Sequence, residues 1–234
     1  MRAIRFQVTQ VRIFPIDRLP LEMLVVPKTL EAFRINFQMS PSETVIEGEI
    51  NFIGGQAVDS TGKQVPLREV SLSPQRLRIS VNGDSQAAES AYAAFSAYLE
   101  SIDLEGLWKG ASPVLFTQET GCVAELEIPW RSLFDERLLH FLHSDVTTAA
   151  ITPVPDATPI LKRFALSFYF GFKQRPELSS YGATLADKAV TIEPRLNTPL
   201  TEKTYYTHSP TDSETHLQLL RALEKEFSKS GDVG

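Results

Sequence analysis

Glu136, His140 and His143 stand at i, i+4 and i+7 of a segment, residues 132–143, whose apolar positions Phe134, Leu138, Phe141 and Leu142 recur with a helical period. At 100° per residue the carboxylate and both imidazoles stack on successive turns of one helix face, while the apolar set faces a core. Three such side chains, with Asp145 just beyond, are the donor types that hold a divalent ion, and a bound ion would activate water for hydrolysis. The H-E-x-x-H spacing is absent, so the same residues also read as a solvated helix face.

His208, Ser209, Thr211 and His216 flank a strand-to-helix junction, where free backbone amides and the helix dipole favour an anion. The neighbouring Tyr205, Tyr206 and Thr207 add hydroxyls. His216 also falls on the apolar stripe of the helix that follows, which fits a core or subunit-contact histidine equally well.

Arg76 and Arg78 share the outward face of a strand, and Arg34 and Arg5 join them if their strands are neighbours. A face of this kind takes single-stranded nucleic acid by phosphate contact and stacking. Glu47 and Glu49 sit on the outward face of another strand, so cross-strand Arg–Glu pairs compete with that reading.

The remaining chemistry is sparse. Cys122 follows the apolar phase of its strand, which implies a buried, protonated thiol. Ser60-Thr61-Gly62-Lys63 reads as a turn, and Gly54-Gly55 lacks the downstream residues of a phosphate-binding loop. There is no C-x-x-C, no G-x-S-x-G and no G-x-G-x-x-G. No cofactor is expected.

These residues need a scaffold, and the pattern of the chain describes one. Period-2 alternation predicts strands at 4–13, with a bulge at Thr9 or Gln10 where the apolar phase slips. It also predicts strands at 33–39, 46–52, 65–72, 77–81, 122–128, 164–172, 189–193 and 203–207, with Ser40-Pro41-Ser42-Glu43 as a hairpin loop. Period 3.6 predicts helices over 88–102, 132–143 and from Pro210-Thr211-Asp212-Ser213-Glu214 onward. Asp84 or Ser85 caps the first, and Thr211 with Glu214 forms a capping box for the last. Residues 144–159 read as a long loop.

Two strand-rich stretches, 1–106 and 107–228, each end in a helix, and 229–234 fray. Val70-Ser71-Leu72-Ser73-Pro74 before the first helix resembles Val190-Thr191-Ile192-Glu193-Pro194 before the last. Strands gathered in runs, each run closed by a helix, predict an α+β fold with mostly antiparallel sheet and about three helices on one face.

The 234 residues carry a net charge of −6, which repels phosphate backbones at long range. A single cysteine suits a reducing, cytoplasmic setting. No apolar run is long enough to span a membrane and no export signal stands at the N-terminus. The leading expectation is a non-enzymatic interaction protein that binds a protein partner or a second copy of itself. The alternatives are the metal-assisted hydrolase and the nucleic-acid-associated protein outlined above.

Overall fold

The computed structural model describes residues 1–15, 26–41, 48–102, 106, 108–109, 112–128, 136–141, 165–171, 187–196, 198 and 202–228. Its strands are β1 (Arg2–Ile13), β2 (Ser40–Pro41), β3 (Ile50–Ile53), β4 (Gln56–Val58), β5 (Gln64–Ser73), β6 (Arg76–Val81), β7 (Leu115–Glu125), β8 (Leu166–Phe170), β9 (Lys188–Pro194) and β10 (Thr204–Ser209). The helices are α1 (Pro27–Phe37), α2 (Ser85–Ile102), α3 (Glu136–Phe141) and α4 (Ser213–Ser228).

All the described strands join one antiparallel sheet in the order β2-β3-β5-β6-β1-β7-β10-β9-β8, with β4 beside β5. The fold is α+β, as the patterning predicts.

The chain order repeats itself. A long strand (β1), a hairpin (β5-β6) and a helix (α2) are followed by a long strand (β7), a hairpin (β9-β10) and a helix (α4). The two long strands lie side by side and antiparallel at the centre of the sheet. Val8 pairs with Val81 on one side and Thr120 on the other, while Thr120 pairs with Val8 and Ser209. An approximate two-fold axis therefore passes between Val8 and Thr120. The hairpin registers then place Val70, partner of Ile79, on Ile192, partner of Thr207. The V-x-x-x-P resemblance between the halves aligns Val70 with Val190 instead, and is two residues out of step.

Both helices close the same face, because alternate residues of β1 feed both cores. Val8 belongs to the first, with Val70, Leu72, Ile79, Ala88, Ala91, Phe95 and Leu99. Phe6 packs on the second, with Cys122, Ala124, Ile192, Tyr205 and Leu220. The alanines let α2 lie close to the strands, and each large side chain so buried contributes about 1.5 to 3 kcal/mol.

Three local expectations are corrected. The bulge in β1 lies at Ile4, between Ala3 and Arg5, and register is unbroken from Arg5 to Ile13. The apolar phase does not slip; polar Gln10 and Arg12 continue the inward face instead. Residues 33–37 form the end of helix α1 rather than a strand, since Phe33 and Phe37 also satisfy i, i+4 and stack on Phe95 at centroid distances of 5.3 and 5.0 Å. Ile35 is left exposed. The third correction concerns α4, whose cap is Asp212: its Oδ1 accepts from the Thr215 amide at 2.9 Å, while the Thr211 hydroxyl bonds Ser209.

Candidate functional site

The inward side chains of β10 differ in kind from their counterparts in β6. Thr207 and Ser209 occupy the places of Ile79 and Val81, and His216 on α4 occupies that of Ala88 on α2. The first half fills this region with hydrocarbon and the second with a hydrogen-bonded cluster.

His216 is the centre of that cluster. Its Nε2 lies 2.8 Å from Thr207 Oγ1 and its Nδ1 2.6 Å from Ser209 Oγ. Thr207 donates its proton to the Cys122 carbonyl at 3.1 Å, so it accepts from Nε2–H, and Ser209 in turn donates to Nδ1. Thr211 then donates to Ser209 Oγ at 2.7 Å. Burial pulls the His216 pKa down to about 4, with a smaller push from His208, so the ring is neutral near pH 7.

A hydroxyl beside an imidazole has the geometry of a base and its nucleophile. Here Ser209 is fully buried, and both ring nitrogens are engaged by hydroxyls. The arrangement holds strand to helix and offers no hydroxyl to a substrate.

The four residues of the proposed anion site are thus divided. Ser209, Thr211 and His216 meet on the helix side, whereas strand alternation turns His208 to the opposite face. There its Nδ1 donates to the Ala189 carbonyl at 3.2 Å and its Nε2 lies 3.6 Å from Glu119, which also pairs with Lys188. The Glu119 pKa falls to about 2, chiefly through His208, then Lys188, against the opposing cost of burial. The His208 pKa is raised, chiefly by Glu119.

A second polar network runs beneath α2. Arg12 Nη2 donates to both carboxylate oxygens of Glu89, at 2.8 and 2.7 Å, and the guanidinium lies 3.6 Å from the centroid of the Tyr92 ring. Gln10, almost fully buried, donates to Glu89 at 2.9 Å and Gln118 at 3.2 Å. Gln118 in turn donates to Ser85 Oγ. None of these residues was marked for chemistry in the sequence, although Gln10 and Arg12 on the inward phase of β1 are a signal that could have marked them.

Arg34 lies on α1 and bonds Glu31 at 2.7 Å, so it does not join the other two arginines. Arg76 pairs with Glu49, and Arg78 with Glu69 at 3.2 Å. Glu47 lies outside the described residues. Glu136 and His140 sit exposed on α3, while His143 and Asp145 lie outside the described residues. Leu138 and Phe141, expected to face a core, are 43% and 52% exposed. Among the described residues no three His, Cys, Asp or Glu side chains come together as a metal site. The Cys122 thiol is buried, and burial raises its pKa to about 11.

No helix among the described residues is long and apolar enough to cross a membrane. Comparison of the chain with protein-family models and with curated proteins finds no match.

Proposed function

We propose that this chain is a non-enzymatic interaction protein that pairs with a second copy of itself through the edge strand β8. One observation carries the reading. Phe168, Tyr169 and Phe170 are 52%, 73% and 51% exposed on a strand at the end of the sheet, and its outer edge has no partner strand among the described residues.

Edge strands that stay single carry Lys, Pro or a bulge to discourage pairing. β8, Leu-Ser-Phe-Tyr-Phe, has none of these, and it pairs with β9 in unbroken register. An antiparallel edge is self-complementary about a two-fold axis, so a second copy satisfies its backbone groups and covers the aromatic rings at the same time. The first half supports this by contrast. There β3 lies beside β5 as β8 lies beside β9, and α1 seals the apolar face with Phe33 and Phe37 against Phe52 and Phe95. The single thiol, buried and protonated, suits a cytoplasmic setting.

Sedimentation of the whole chain over a concentration series tests the reading. In a self-paired edge every substitution appears twice across the axis, so Phe168→Lys sets like charges against each other. The expected result is a dimer with a dissociation constant of about 10 µM or tighter, weakened at least about tenfold by Phe168→Lys. A monomer throughout, or a dimer indifferent to both Phe168→Lys and Tyr169→Lys, removes it.

A further inference from the structure

The strands carry six arginines: Arg2, Arg5, Arg12, Arg68, Arg76 and Arg78. Four bond a carboxylate: Arg2 with Glu125, Arg12 with Glu89, Arg76 with Glu49 and Arg78 with Glu69. The other two, Arg5 and Arg68, line the same cavity on the sheet face away from the helices.

The construction of that cavity is local and legible. Its volume is about 410 Å³, and it opens across β5, β1, β7 and β10, with Asn82, just past the end of β6, on its rim. Gly121 forms part of its wall. At the related position across the two-fold axis stands Thr9, whose hydroxyl bonds Ser80 and fills the space. A Cβ on Gly121 would lie 3.0 Å from the Tyr206 hydroxyl and 3.6 Å from its ring, so the missing side chain is what lets Tyr206 lie along the strand. Arg68 projects from the register irregularity between Leu67 and Glu69, beyond the regular pairing of β5 with β6. Arg5 donates to Asn82 Oδ1 at 3.1 Å, which steers one guanidinium nitrogen and, among the described residues, leaves the rest of its fork unused. The acids around the cavity are Glu193, directly across from Tyr206 on β9, and Glu69, Glu119 and Glu125, which are paired with Arg78, Lys188 and Arg2.

We infer that this cavity binds a small organic anion, its carboxylate or phosphate held by Arg5 and Arg68 and its body lying against Tyr206 over Gly121. Guanidinium forks match the paired oxygens of such groups. The volume lies within the roughly 300–1,000 Å³ usual for small-molecule sites and is larger than a bare inorganic ion requires. Burial and Glu193 raise the Tyr206 pKa, so its hydroxyl remains a donor at neutral pH. The site is independent of the β8 edge and is present whether or not the chain pairs with itself.

The test is a titration of the whole chain with phenyl phosphate, benzoate and inorganic phosphate, read at the backbone amide of Gly121 by NMR. The expected result is a saturable shift with phenyl phosphate or benzoate below about 1 mM, whichever is tighter naming the acidic group. Arg5→Gln and Arg68→Gln each weaken it at least about tenfold, and Arg2→Gln leaves it unchanged. Gly121→Val displaces Tyr206 from its place over the strand and weakens binding, with thermal unfolding as the check that each variant is folded. No saturable shift with any probe up to about 10 mM, or undiminished binding in the Arg5→Gln, Arg68→Gln double variant, overturns the inference.

Discussion

Ser85 and Ser213, the first residues of the helices that close the two halves, exchange hydrogen bonds. The Ser85 amide donates to Ser213 Oγ at 3.1 Å, and the Ser213 amide donates to Ser85 Oγ at 2.7 Å. Each hydroxyl thereby satisfies an orphan amide at the start of the other helix, a task that usually falls to a residue of the same helix. The pair ties the halves together across the approximate two-fold axis.

Removing either hydroxyl strands an amide in a buried seam. Ser85→Ala and Ser213→Ala are expected to cost about 1 kcal/mol each, the first somewhat more because Gln118 also donates to Ser85 Oγ. A double-variant cycle in urea should show a coupling of about 0.5 kcal/mol or more, since the two caps share one interface. Strict additivity would mean that the halves are not held by this exchange.

His216 makes the protein acid-sensitive. Its folded pKa, about 4, lies below the ordinary histidine value of 6.5, so protons bind the unfolded chain preferentially as pH falls between these values. Stability is fully present above pH 6.5 and declines toward pH 4, by about 3 kcal/mol from this group. Urea unfolding at pH 7 and pH 4.5, with His216→Ala as comparison, should show the pH dependence shrinking in the variant.

On the opposite face, His208 imposes the reverse limit and Glu119 a second acid one. The Glu119 pKa is lowered to about 2, so its contribution holds above pH 4.5 and disappears as pH falls through 2. The raised His208 pKa makes its contribution complete below 6.5 and lost as pH rises through the folded value. The window in which both act is pH 4.5 to 6.5. NMR titration of the His208 ring should give a pKa above 6.5 that drops on Glu119→Gln.

The aromatic cluster under α1 should dominate the first half. Phe33 touches Phe37, Phe52, Phe95 and Tyr98, with centroids 4.8 to 6.1 Å away. Phe33→Ala is expected to cost about 3 to 5 kcal/mol, and Ile35→Ala, on the exposed side of the same helix, less than about 0.5 kcal/mol. Chemical denaturation of the two variants distinguishes helix α1 from the strand that the sequence pattern suggests, in which both residues would face inward.

Much of the scaffold was legible in the chain itself. Alternation at 65–72 and 77–81 marks β5 and β6, the alanine-rich stripe marks α2, and the amphipathic run after Asp212 marks α4, because backbone geometry writes its period directly onto apolar spacing. An arginine–glutamate pairing that uses Glu49 was likewise readable as an alternative to a nucleic-acid face, and Arg76 takes it, whereas Glu69 as the partner of Arg78 was not.

Where one spacing satisfies two periods, as Phe33, Ile35 and Phe37 do, the local pattern is silent, and the choice fell to the stack on Phe95. Contacts between residues 128 positions apart, as in the Ser85–Ser213 exchange, have no local trace at all. Neither does the division of His208 from His216, nor the meeting of Arg5 with Arg68 at one cavity. The sequence alone determined most of the strands and helices, α1 excepted, since that depends on side chains a few residues apart. Which polar residues share an enclosure was decided only by the order of strands in the sheet, because burial and charge pairing are properties of neighbours in space.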